Sequence, residues 1–244
     1  MKLLVCNDYQ EMSKKAAALI AAQVKLFPES ILGLATGSTP IGTYDELIRL
    51  YNTGEIDFSE IETVNLDEYV GLGPDHEQSY RHFMNEQLFN HINIDPEMTH
   101  VPNGLAANPE EEAENYEMMV ECLGGIDLQV LGLGPNGHIG FNEPDSFFTP
   151  ATHVVDLSKE TIDANSRFFS SRAEVPHQAI TLGVKQIMQA GKVILLVSGE
   201  KKAKALKAAV TGPVTPDLPA SILQLHPDCT VFADEAACEW IYDD

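Results

Sequence analysis

The residues of this 244-residue chain that are equipped for chemistry gather where apolar runs end. The fullest set lies between Leu128 and Pro144. There the run Leu128-Gln-Val-Leu131 stops in Gly132, Gly134, Pro135 and Gly137, and the loop carries Asn136, His138, Asn142 and Glu143. A run this short reads as a buried strand, and the glycines and proline forbid a helix directly after it. A polar loop at the carboxyl end of a strand is where an open parallel sheet holds small ligands. Two other readings stand beside that one. Asn136-Gly137 is a turn pair that His138 would simply cap. His138 with Glu143 and Asp67 would offer ligands to a metal, but no second histidine lies at ligand spacing, so metal chemistry is not expected. Gly132-Leu-Gly-Pro-Asn-Gly137 satisfies the dinucleotide pattern G-x-G-x-x-G only formally. Its last glycine would have to open a helix, and Ile-Gly-Phe-Asn-Glu-Pro has no helical period.

Three further stretches add charge and hydrogen-bond donors. Ala35-Thr-Gly-Ser-Thr-Pro40 joins a strand, Ile31 to Leu34, to a helical pattern through Tyr44, Leu47, Ile48 and Tyr51. Such a junction aims backbone N–H groups and the positive end of a helix at whatever lies above it, which suits a phosphate. Thr36, Ser38 and Thr39 add hydroxyls next to Gly37, while the P-loop lysine is missing; a plain Ser/Thr-Pro helix cap is the alternative. Asp67 and Glu68 follow the strand Thr63 to Leu66, and in extended chain adjacent side chains face opposite ways. One faces the site and the other does not. Asp67, directly after the apolar run, is the better placed. Arg167 in a polar stretch is either an anion ligand or a surface residue. Lys201 and Lys202 sit where a helix opens after the strand Lys192 to Val197, against the macrodipole unless one of them meets an anion.

The elements that must position these groups alternate along the chain. Strands are expected at Lys2 to Cys6, His153 to Leu157, Gln178 to Leu182 and Cys229 to Phe232, with a short one at Thr99 to Val101. Helices are expected from Asn7 or Asp8 to about Phe27, Glu77 to Phe89, Pro109 to Cys122, Gly183 to Gln189, Ala220 to Leu225 and Glu235 to Ile241. This alternation calls for an α/β fold, a single doubly wound, mostly parallel sheet with helices on both faces, as one domain spanning residues 1–244. The loops after the second, third, Leu131 and Val197 strands then meet at one edge of the sheet.

Composition narrows the ligand. With 37 acidic and 15 basic residues the net charge is −22, which repels nucleic acid and anionic membranes. An anionic ligand must be held by a few placed bases and N–H groups. The four cysteines, Cys6, Cys122, Cys229 and Cys238, form no C-x-x-C pair, and the N-terminus turns polar too early for a signal peptide. A cytoplasmic, reduced protein without nucleic-acid or membrane partners is expected.

Five stretches in order resemble the glucosamine-6-phosphate deaminase family. They are Leu32-Gly-Leu-Ala-Thr-Gly-Ser-Thr-Pro-Ile-Gly-Thr-Tyr44, Asn65-Leu-Asp-Glu-Tyr-Val-Gly-Leu72, Gly137-His-Ile-Gly-Phe-Asn-Glu-Pro144, Ala164-Asn-Ser-Arg-Phe-Phe169 and Leu223-Gln-Leu-His-Pro227. The resemblance implies conversion of glucosamine 6-phosphate to fructose 6-phosphate and ammonia, without cofactor or metal. It implies Asp67 as the base at C2, His138 as the ring-opening group, and Glu143 and Asn136 as its supports. It assigns substrate and phosphate to Thr36, Gly37, Ser38, Thr39, Arg167 and Lys202. Many members carry aspartate where this chain has Asn136, which leaves Glu143 more of the electrostatic work. The chain also ends soon after its last helix, without the longer tail of hexameric, effector-regulated members, so a monomer or small homo-oligomer is expected. The competing readings are 6-phosphogluconolactonase, against which Phe141-Asn-Glu-Pro144 argues, and a sugar-phosphate-sensing regulator, which would need an N-terminal helix-turn-helix.

Overall fold

Strands buried on both faces are apolar at nearly every position, and β2 (Ile31–Leu34) and β9 (Lys192–Val197) at the middle of the fold are of that kind. The computed structural model describes residues 1–158, 161–163, 166, 169 and 171–241. Its strands are β1 (Lys2–Cys6), β2 (Ile31–Leu34), β3 (Glu62–Asn65), β4 (Asp67–Tyr69), β5 (Thr99–His100), β6 (Leu128–Gly132), β7 (His153–Asp156), β8 (Gln178–Thr181), β9 (Lys192–Val197) and β10 (Cys229–Asp234). Seven of them form one sheet in the order β1-β10-β9-β6-β2-β3-β5, and every neighbouring pair is parallel.

Helices cover both faces. On one lie α1 (Tyr9–Leu26), α2 (Ile41–Asn52) and α3 (Tyr80–Gln87), packed on Leu32, Leu34, Leu128, Val130, Ile194 and Leu196. On the other lie α4 (Pro109–Cys122) and the helices Val184–Gln189 and Ala203–Thr211, packed on Ile31, Val64, Leu131, Val193, Leu195 and Val231. The period-2 alternation of strand side chains divides the core in this way. The expected doubly wound parallel sheet is present.

The structure settles one boundary that the sequence left open and shifts several others. Asp8 rather than Asn7 caps α1, its side chain accepting the Glu11 N–H at 2.8 Å. Ser79 caps α3 by accepting the His82 N–H at 3.1 Å, so that helix starts at Tyr80 and not at Glu77. Pro219 opens a 3-10 turn, Pro219–Leu225, in place of an α-helix, and the last helix spans only Glu235–Cys238. The larger addition is a second sheet of three antiparallel strands, β4-β8-β7. Asp67–Tyr69 belongs to it, paired with β8 so that Asp67 stands opposite Thr181. A small cluster of Tyr69, Phe141, Leu157, Ile162, Val175 and Ala179 fills the space beneath it.

In the main sheet β2 pairs with β6 on one side and β3 on the other. The chain leaves β2 toward β3 and leaves β6 toward β9, so the strand order reverses between β2 and β6 and a crevice opens above their carboxyl ends. The pairing itself is close. Gly33 stands opposite Gln129, whose fully buried amide occupies the space that a Cβ at position 33 would need. Gly33→Ala therefore forces this amide aside, and overpacking of this kind costs about 1–3 kcal/mol. Denaturant unfolding of the variant is expected to show that loss.

Candidate active site

Above β2 and β6 lies a cavity of about 520 Å³. Thr36, Gly37, Ser38 and Thr39 line one side and Gly132 to Asn136, His138, Gly140 and Phe141 the other, with Asp67, Tyr80, Thr161 and Lys202 completing the wall. Three tyrosines fix the supporting backbone. Tyr44, buried in α2, donates its hydroxyl to Ala35 O at 2.6 Å and accepts the Ala35 N–H at 3.2 Å. Tyr9 from α1 accepts the Gly42 N–H at 2.8 Å and reaches the Thr39 carbonyl at 3.1 Å. Tyr116 from α4 donates to Asn65 O at 2.9 Å, holding the end of β3 just before Asp67. Pro40, at the N-cap of α2, has no side chain to cap it, and the Gly42 N–H in its first turn goes to Tyr9 instead.

The glycine loop folds as a series of tight turns. Gly137 N–H bonds Gly134 O at 3.0 Å and Gly134 N–H bonds His138 O at 2.9 Å. The His138 imidazole then lies over Gly134, where any Cβ would collide with the ring. Gly140 has φ of 59°, a left-handed value natural to glycine, and a Cβ there would stand 3.4 Å from Asp67 Oδ2. Asn142 pins the far end, donating to Ile139 O at 3.0 Å and Leu182 O at 2.9 Å.

Behind His138 stands Glu143, which does not itself line the cavity. Its Oε1 lies 3.5 Å from His138 Nδ1 and accepts the Thr161 hydroxyl at 2.5 Å. Its Oε2 accepts from Asn136 Nδ2 at 2.6 Å, while Asn136 Oδ1 accepts the His138 N–H at 3.2 Å. The turn role of Asn136 and its role as a support of Glu143 therefore coexist in one side chain. Burial works to raise the Glu143 carboxyl, but the His138 ring, Thr161 and Asn136 outweigh it and hold the group at about 2. Asp67 is the reverse case. It is buried, its carboxyl makes no hydrogen bond among the described residues, and burial together with the neighbouring Glu68 charge pushes it up to about 8.

Glu68 faces away from the cavity, as strand parity requires. Of the two lysines, Lys202 lines the cavity and bonds Leu133 O, while Lys201 is exposed. The sequence-expected residues Thr36, Gly37, Ser38, Thr39, Asp67, Asn136, His138 and Lys202 thus meet at one cavity, with Glu143 directly behind. Arg167 lies outside the described residues. Sequence reasoning missed Tyr80 and Thr161. Tyr80 sits in the first turn of α3, a helix expected from the sequence but given no part in the site, and Thr161 in a polar stretch without any motif.

A more open depression of about 630 Å³ lies at the opposite edge, near the starts of β2, β6 and β9. Of the charged groups that line it, Asp127 accepts the Ile31 N–H at 2.7 Å and Lys192 pairs with Asp228 at 2.5 Å. Among the described residues no cluster of three His, Cys, Asp or Glu side chains could hold a metal ion, and no helix is long and apolar enough to cross a membrane.

Known proteins match this chain over nearly its whole length. Residues 7–232 fit the family described as glucosamine-6-phosphate isomerases/6-phosphogluconolactonase. The glucosamine-6-phosphate deaminase of Lachnoclostridium phytofermentans is 60% identical over 231 residues, covering 95% of this chain and 98% of its own. That of Clostridioides difficile is 56% identical, covering 97% and 95%. A solved monomeric glucosamine-6-phosphate deaminase superposes with a TM-score of 0.96 at 46% identity, covering 98% of this chain and 99% of its own. A 6-phosphogluconolactonase from Thermotoga maritima shares the fold with a TM-score of 0.76 at 20% identity, covering 96% and 98%. The chain therefore belongs to the glucosamine-6-phosphate isomerase and 6-phosphogluconolactonase family, as an enzyme of its deaminase branch.

Proposed function

We propose that this enzyme converts D-glucosamine 6-phosphate and water to D-fructose 6-phosphate and ammonia. The observation that supports the reading best is the opposed pair of carboxyls, one lining the cavity and the other directly behind its His138 wall. Asp67 is buried and pushed up to about 8, whereas Glu143, against His138, is held at about 2. Groups driven apart in this way suit different proton-transfer tasks.

In this reading the sugar phosphate binds with its phosphate on the backbone and hydroxyls of Gly37, Ser38 and Thr39, with Thr36 beside them and Lys202 and Arg167 supplying positive charge. His138 moves a proton between the ring oxygen and the anomeric hydroxyl, breaking the C1–O5 bond and leaving an aldehyde at C1. A histidine suits this exchange because its reference pKa is about 6.5. Glu143 and Asn136 orient the ring. Asp67 then takes the proton from C2, which the C1 carbonyl makes acidic, and an enolamine forms. Returning the proton to C1 gives an imine at C2. Water adds to that carbon and ammonia leaves, so that a carbonyl remains. A carboxylate needs no metal for the abstraction if the enolamine is held in place.

The direct test is ammonia release from glucosamine 6-phosphate by the purified protein. Absence of release overturns the reading. Asp67→Asn keeps shape and removes the base, so kcat is expected to fall by about 10²–10⁴ with KM little changed; turnover like the wild type would rule Asp67 out as the base. Because the base acts ionised, and burial holds it at about 8, kcat/KM is expected to fall about tenfold per pH unit below that value and to level off above it. Thr161→Val removes one donor from Glu143. Its carboxyl is expected to climb from about 2 toward the ordinary glutamate range, read by carbon-13 NMR titration.

A further inference from the structure

Glu68 is 2% exposed and engaged on every side. Its Oε1 accepts the backbone N–H groups of Tyr69 at 2.8 Å and Tyr80 at 2.9 Å, and its Oε2 accepts that of Arg81 at 2.9 Å. Tyr80 and Arg81 are the first two residues of α3, whose N–H groups have no partners within the helix, and the positive end of the helix dipole lies there. Arg81 in turn donates to Thr99 Oγ1 at 2.7 Å and Thr99 O at 2.6 Å, tying the same turn to β5. The Tyr80 ring stands 4.7 Å from that of Tyr69 and stacks on Phe141 at 6.0 Å, in the cavity wall that Asp67 shares.

We propose that Glu68 is a positioning residue for the proton transfer at Asp67: its carboxylate locks the first turn of α3, and with it the Tyr80 ring, against β4, and when ionised it sets a negative charge one residue from the base. The inference rests on Asp67 being that base. The groups that face Asp67 are Glu68 on its own strand, Tyr80 from α3, Tyr116 from α4, and His138 and Lys202 in the cavity lining. Burial keeps both phenols neutral by raising them well above their usual range. Burial raises Glu68 as well, but there three N–H donors and Arg81 oppose the rise, whereas no hydrogen bond opposes it at Asp67 among the described residues. Glu68 therefore ionises first, and its charge then makes Asp67 keep its proton longer. A carboxylate with greater proton affinity takes a proton from carbon more readily, at the cost of being ionised in fewer molecules near neutrality.

Glu68→Gln keeps the size of the side chain and the acceptor for Tyr69 and Tyr80, and removes the charge. The midpoint of the acid limb of kcat/KM is expected to fall by about one pH unit relative to wild type. An unchanged midpoint in a folded variant overturns the proposal and leaves Glu68 a helix cap. Should this variant not fold, Glu68→Asp retains the charge with a shortened reach; its midpoint is expected to stay with wild type while kcat falls, and a midpoint that drops overturns the proposal. Carbon-13 titration of the Asp67 carboxyl reads the same shift without substrate. A wild-type protein that releases no ammonia would sink the functional reading and the inference with it, whereas ammonia release with an unshifted Asp67 titration in Glu68→Gln would sink the Glu68 inference alone.

Discussion

The parallel pairing of β2 with β6, Leu32 opposite Leu128 and Gly33 opposite Gln129, is the contact on which the cavity depends, because the chain leaves these two strands in opposite directions. A loop that turned back over its own sheet on either side would close the crevice. Instead the Thr36 to Thr39 loop and the glycine loop diverge, and each is stiffened from behind. Tyr44 and Tyr9 hold the first, and close turns with Asn142 hold the second. The small antiparallel sheet completes the wall. By pairing with β8, the strand carrying Asp67 is turned out of the main sheet and brought beside the glycine loop.

Within that wall two carboxyls of similar intrinsic acidity behave in opposite ways. Asp67 is buried with no donor among the described residues, so the neutral form is favoured. Glu143 is also shielded from solvent, but it meets an amide, a hydroxyl and an imidazole, so the charged form is favoured. Burial alone does not decide the outcome; the donors do. The same rule orders Asp67 and Glu68, which are adjacent and both buried, since only Glu68 has backbone N–H partners.

Much of this was legible from the chain. Buried parallel strands read as unbroken apolar runs, so β2, β6 and β9 were plain, as was the edge at which their loops collect. Strand parity separated Asp67 from Glu68 without saying which faced inward, and position after the apolar run favoured Asp67, the one that lines the cavity. What could not be read was pairing between distant short strands. Asp67–Tyr69 looks like loop because three residues carry no periodicity, and its partner Thr181 is more than a hundred residues away. Tyr80 and Thr161 were missed for the same reason, since their places in the wall follow from tertiary contacts that leave no local pattern.

Asn136 shows how a neutral side chain serves a charged cluster. An ionised carboxylate can only accept hydrogen bonds and a backbone N–H can only donate, so the two partners of Asn136 fix its amide: Nδ2 toward Glu143 and Oδ1 toward the His138 N–H. An aspartate at this position would satisfy the backbone N–H but set a second carboxylate against Glu143 at this 2.6 Å contact. One of the two would then have to hold a proton or turn away. With asparagine the contact stays attractive while Glu143 is ionised, and a single charge faces the imidazole. In a chain of net charge −22 whose proposed ligand is an anion, that arrangement orients His138 without adding further negative charge beside the cavity.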